Sequence, residues 1–255
     1  MLESLLSGFA NISVPELVLI AGMALVASVV GGVAGYGTGA LMPLVLVPIV
    51  GAEPVVPILS LSALFTNTSR SAAFWPLIDQ RRAWIVLAAA VPTCALGGWG
   101  YTMLTGKGAA LVIGGMLMAS VPLRRLMRQR GLSLSNRGLA AASFGWGPLA
   151  GGTVGAGIIL LSLLMAAGLE GAAVVATDAI ISIGIGLTKF ATFGLAGAID
   201  AKVIAIALLI GCVAFPGAFL AKAMIARLPV HVHTAILDAM VIGGGAVMIA
   251  NAVLH

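Results

Sequence analysis

Two long stretches of this chain contain no charged residue, Leu17–Ala52 and Gly138–Leu169. Roughly 20 apolar residues cross the hydrocarbon core of a bilayer as a helix, so each stretch is too long for one crossing. Each is also broken near its middle by glycines, GGVAGYGTG at Gly31–Gly39 and GGTVGAG at Gly151–Gly157. This pattern predicts a helix, a break, and a second, shorter helix returning toward the same side. The residues beyond the two breaks match as well. The first copy continues with Glu53, Arg70 and Asp79 beside Arg81 and Arg82, the second with Glu170, Lys189 and Asp200 beside Lys202. The chain reads as an internal duplication with one cation inside an otherwise uncharged segment of each half.

Composition removes most alternatives. Of 255 residues 61% are hydrophobic and 8% charged, against about a quarter charged in soluble domains. That length accommodates about eight to ten membrane segments and leaves no soluble catalytic domain. The net charge of +5 sits mostly in short loops, where it sets orientation rather than attracting nucleic acid. The N-terminus carries Glu3 and no basic residue, unlike a cleavable signal peptide, and reads as an interfacial segment. Cys94 and Cys212 fall in apolar segments and read as buried packing residues rather than a disulfide, and no metal-ligand spacing occurs. His231 and His233, two apart, point away from each other on a helix.

The expected fold is an all-α polytopic membrane protein of transmembrane or half-membrane helices in two homologous repeats. Its expected parts are an N-terminal segment (1–14), a first repeat (15–123), a basic cytoplasmic linker (124–137) and a second repeat (138–255). Beyond each broken pair, segments are expected at about 54–77, 83–104 and 108–123, then at 171–197, 203–222 and 232–252. With Arg124, Arg125, Arg128, Arg130 and Arg137 in the cytoplasm, five segments per half invert the second repeat and leave Lys107 and Lys202 on the wrong side. Four per half give parallel repeats and leave Lys107, Lys222 and Arg227 outside. The count favours inversion by one charge.

Eleven of the thirteen Lys and Arg residues lie in expected loops or at segment ends. Arg70 and Lys189 do not. A cation in mid-helix costs about 2.5–3.5 kcal/mol to insert; each either snorkels to the interface or serves a site, and their matching places in the two copies favour a site. Thr66, Asn67 and Ser71 surround Arg70 in the run TNTSRS, and guanidinium, amide and hydroxyl donors together can wrap the oxygens of an anion. The glycines have two readings. Gly35, Gly37, Gly39, Gly155 and Gly157 can break a helix so that backbone N–H groups face an anion, or the small-xxx-small spacing can bring helices close. Asp178 and Lys189, eleven residues apart, share a helix face about 16 Å apart along the axis. Asp178 is either a coupling carboxylate or the partner of a residue on another helix. Glu53 and Glu170, with Pro54, read as N-terminal caps.

These residues resemble the TauE/SafE sulfite-exporter family of bacterial membrane proteins over nearly the whole chain. The resemblance is carried by Gly31–Gly39 with Pro43, by Gly151–Gly157, by AVVATDAI at Ala173–Ile180, and by Gly197, Ile199 and Asp200. The chain departs from the family pattern in a less glycine-rich first copy, in Leu59-Ser60-Leu61, and in Asp178, where a small uncharged residue is more usual. The resemblance implies a multi-pass protein of the bacterial cytoplasmic membrane that moves sulfite, sulfoacetate or another organosulfonate. The expectation is a secondary transporter working by alternating access around Arg70 and Lys189, or alternatively a passive anion channel using the same cations. A membrane enzyme is not expected, because no nucleophile–base pair lies within the apolar segments. The expected partners are a small sulfur-containing anion and the lipid bilayer, with a homodimer open and no cofactor.

Overall fold

The computed structural model describes residues 7–10, 12–34, 37–129, 133–217, 219–221 and 242–253. Among them every regular element is helical: α1 (Val14–Ala34), α2 (Thr38–Val50), α3 (Val55–Ala73), α4 (Gln80–Thr102), α5 (Gly106–Gln129), α6 (Asn136–Gly152), α7 (Gly157–Ala166), α8 (Ala172–Leu195), α9 (Ala201–Ala214) and α10 (Ile242–Val253). A 3-10 turn, Trp75–Leu77, follows α3. Both uncharged stretches hold a helix pair divided at the glycines, and the second member is shorter in each, 13 residues in α2 and 10 in α7. Among the described residues five segments are long and apolar enough to span a membrane: most of α1, all of α4 and α8, Gly106–Leu123 of α5, and Ala201–Ala221. The polar run TNTSRS keeps the 19-residue α3 out of that set. α5 runs on to Gln129, past the end expected at 123, because Leu, Met, Arg and Gln favour the helix.

Local chemistry fixes the helix starts. At α1, Ser13 donates its N–H and hydroxyl to Glu16 Oε2, both at 2.7 Å, in a capping-box arrangement. α4 and α9 are capped by equivalent aspartates: Asp79 accepts from Arg82 N at 2.9 Å and Asp200 from Val203 N at 2.7 Å. Partial burial pushes the Asp79 carboxyl upward, but the hydrogen bonds and charge of Arg82 outweigh it and hold the group below its usual value. The caps expected at Glu53 and Glu170 are not there. Pro54 and Gly171 occupy those N-cap positions without a side-chain bond, since the short side chains of Asp and Ser, unlike Glu, are the ones that reach the N2 and N3 amides.

Packing is reciprocal between the halves. The third helices, α3 and α8, pack on each other; α4 packs on α6 and α8, and in the same way α9 packs on α1 and α3. Residue contacts give the directions. Arg70 meets Asp178 while Ser60 and Leu64 approach Gly186, so α3 and α8 run antiparallel. Thr93 Oγ1 donates to Phe144 O, and Gly97 and Gly98 lie against Pro148 and Gly151, so α4 and α6 run parallel. α1 and α9 are parallel too, with Gly8 beside Ala201 and Ser28 Oγ donating to Ala214 O at 2.5 Å.

Between α4 and α6 the backbones come close at Gly151, where an added Cβ would overlap Cys94 O and Gly98 N. Helices surrounded by lipid gain cohesion from such small-residue contacts, not from expelling water. We expect Gly151→Val to cost about 3 kcal/mol or more, read as a lowered melting midpoint in detergent. An unchanged midpoint would show that the two helices part freely.

The outer surface is apolar. Val14, Leu19, Leu96, Leu187 and Leu195 are exposed, as are Trp75, Trp84 and Trp99 at helix ends, the placing of a membrane-interface belt. Cys94 is buried, but Cys212 is exposed on this surface, contrary to its expected burial.

Candidate functional site

A cavity of about 150 Å³ lies where the two breaks face each other. α3 contributes Leu59, Ser60, Ala63, Thr66, Asn67 and Arg70, and α8 contributes Asp178, Ser182, Ile185, Gly186 and Lys189. Both sets follow the three-and-four spacing of a single helix face. Gly37, Thr38 and Gly39 at the start of α2 and Thr153–Gly157 at the second break complete most of the lining. The first N–H groups of a helix have no acceptor within it, and the N-terminal residues of both α2 and α7 border this space.

Helix breaking and close packing both occur among the glycines, at different positions. Gly155 has φ +84°, a left-handed conformation that a side chain would strain. It turns the chain so that α7 starts beside the cavity, and Gly39 comes close against its backbone. Trp146 Nε1 donates to Ala156 O at 2.9 Å and pins the break. Gly151, by contrast, serves close packing.

The two cations have different surroundings. Arg70 lies in the last turn of α3, nearer a helix end than expected because Phe74 closes the helix. Its side chain does not reach out to the interface: Nη1 stands 3.5 Å from Asp178 Oδ2 and donates to Gly31 O at 3.4 Å, and Nη2 donates to Asn67 Oδ1. Asp178 is 1% exposed, and its Oδ1 has no hydrogen-bond partner among the described residues. Beside it, Thr177 Oγ1 accepts from Asp79 N at 3.0 Å. Lys189, 7% exposed, donates to Thr153 O at 3.1 Å and has no carboxylate partner among the described residues.

Thr66, Asn67, Arg70, Asp178, Lys189, Gly37, Gly39, Gly155 and Gly157, all singled out in the sequence, line this one cavity. Ser71 does not; it is buried one step of about 100° round the helix from Arg70. Gly35, His231 and His233 lie outside the described residues. Sequence reasoning missed Thr153 and Trp146. Thr153, the first residue after Gly151-Gly152, carried a positional hint; nothing in the sequence pairs Trp146 with Ala156.

Comparison with family models matches residues 19–248 to the family described as sulfite exporter TauE/SafE. The chain belongs to the TauE/SafE family. Comparison with curated proteins and with solved structures returned no match. TauE/SafE membership makes the chain a membrane transporter of a sulfite-exporter family, in keeping with its apolar helices. Among the described residues no cluster of His, Cys, Asp and Glu could hold a metal ion.

Proposed function

We propose that this TauE/SafE protein is a secondary transporter of a small sulfur-containing anion, sulfite or an organosulfonate, in the bacterial cytoplasmic membrane. The observation that carries the reading is the convergence of Arg70, Lys189 and two helix N-termini on one buried cavity. Guanidinium and ammonium donors, hydroxyls and backbone N–H groups are what the three oxygens of a sulfite or sulfonate require.

Inverted repeats fit this protein better than parallel ones. The antiparallel run of α3 against α8 and the parallel runs of α4 with α6 and α1 with α9 support an axis lying in the membrane plane. Such repeats supply the two halves that rock against each other in alternating access. Arg81 and Arg82 stand at the start of α4 beside its Asp79 cap, Arg137 stands at the start of the parallel α6, and Leu134 N donates to Ala166 O at that same end. The positive-inside rule makes it cytoplasmic.

Proteoliposomes test the reading. Liposomes preloaded with unlabelled sulfite should accumulate radiolabelled sulfite by counterflow, which a carrier supports and an open channel does not. Radiolabel that only equilibrates would favour the channel, and no flux of sulfite or of isethionate would remove the substrate class.

A further inference from the structure

Arg70 and Lys189 occupy matching places in the two repeats, yet among the described residues Arg70 faces a carboxylate and Lys189 does not. Arg70 opposite Asp178, and Ser60 and Leu64 opposite Gly186, set the register between α3 and α8. Continued toward the other end, that register brings Lys189 level with Leu59 and Ser60, which are uncharged. With Asp178 ionised, the three charged groups among the described residues that line the cavity therefore sum to one positive.

The carboxylate is held in a way that allows replacement. Its 3.5 Å approach to the guanidinium is longer than the roughly 2.7–2.9 Å of a strong charge-assisted bond. Its second oxygen has no donor among the described residues, although it is buried. An anion entering the cavity presents Arg70 with better acceptors. Asp178 is then left without its counter-charge, and a lone buried carboxylate becomes neutral by taking up a proton.

We propose that the anion and Asp178 compete for Arg70, so that each bound monoanion brings one proton to Asp178 and the protein is an electroneutral proton–anion symporter. This rests on the anion-transport reading above and adds the coupling ion, its site and its stoichiometry. Before binding, the cavity holds Arg70⁺, Lys189⁺ and Asp178⁻; afterwards it holds both cations, the anion and a protonated Asp178. Its net charge is the same in both states. The half that moves carries the same charge through the membrane field whether loaded or empty.

Among the described residues the surroundings leave Asp178 as the proton site. α8 packs against α3, α4, α6, α7 and the Trp75–Leu77 turn. α3 brings only Arg70, and α7 and the turn bring no titratable group. α6 brings Arg137 at its far start, and α4 brings Arg81, Arg82, Cys94 and Tyr101. Asp79, reached through Thr177, is already paired with Arg82 at 2.5 Å. Lys189, on α8 itself, is a cation three turns away.

Calorimetric titration of the purified full chain with isethionate, a fixed monoanion, tests this when run in buffers of different ionisation enthalpy. The expected result is one proton taken up per anion, with affinity falling about tenfold per pH unit above the titration of Asp178. In Asp178→Asn the proton uptake and the slope should vanish. Net uptake into wild-type proteoliposomes should follow an inward proton gradient and ignore a potassium-valinomycin potential. Anion binding without proton uptake, a wild-type flux that follows the potential, or an unaltered slope in Asp178→Asn would each overturn the coupling while sparing the anion site. Failure of both isethionate and sulfite to bind would instead overturn the reading on which it rests.

Discussion

Replacing Lys189 by methionine should abolish anion transport and at the same time raise the melting midpoint. Lys189 is buried in the cavity wall, and among the described residues its ammonium has a single carbonyl acceptor, Thr153 O at 3.1 Å. Placing such a charge in a membrane helix costs about 2.5–3.5 kcal/mol, and one neutral hydrogen bond returns only about 1 kcal/mol. A residue kept at that cost has a use beyond the one hydrogen bond, and the cavity it lines supplies one. With Lys189 gone, Arg70 and Asp178 neutralise each other and the cavity has no net charge to offer an anion. Losing one partner of a buried charged contact weakens binding by about 2–5 kcal/mol, at least about thirtyfold in affinity. Transport in proteoliposomes and melting in detergent measure the two effects separately. Wild-type transport by Lys189→Met would remove the lysine from the site, and a collapsed midpoint would show that its role is structural.

Much of this architecture was readable because lipid is a strict solvent. Uncharged stretches too long for one crossing and broken by glycines had few folds open to them, and both became a longer and a shorter helix. The stripe Thr66, Asn67, Arg70 on α3 and the shared face of Asp178 and Lys189 followed from the helical repeat alone. What stayed hidden depends on which helix meets which. No pattern along the chain states that α3 lies antiparallel to α8, so the helix that meets Asp178 was not legible; the geometry supplies Arg70 as its partner, and the coupling role proposed for Asp178 works through that contact. The acidic caps were misplaced for a local reason. Both copies offered Glu near the start of the third helix and Asp at the start of the fourth, and only Asp is short enough to reach back to the amides. The glycine clusters could not be divided by sequence into turning and packing positions, because φ at Gly155 and the neighbours of Gly151 are properties of the assembled helices.

The ion pair between α3 and α8 should behave as a unit, with each single variant worse than the double one. Asp178→Ala removes the carboxylate and leaves the Arg70 guanidinium buried on the carbonyl of Gly31 and the amide of Asn67. Breaking a buried pair from one side costs about 3–5 kcal/mol, which for a chain of this length lowers the melting midpoint by roughly 6–20 °C. Arg70→Leu should cost a similar amount by stranding Asp178. The double variant Arg70→Leu with Asp178→Leu strands neither charge and should melt close to the parent, while having no anion affinity. A further sign separates this cavity from an ordinary structural salt bridge. In Asp178→Ala the place of the carboxylate is open to an external anion, so sulfite or isethionate should recover much of the lost midpoint, whereas in Arg70→Leu neither should. Equal recovery in both single variants would place the added anion elsewhere, and additive losses in the double variant would show that Arg70 and Asp178 do not depend on each other.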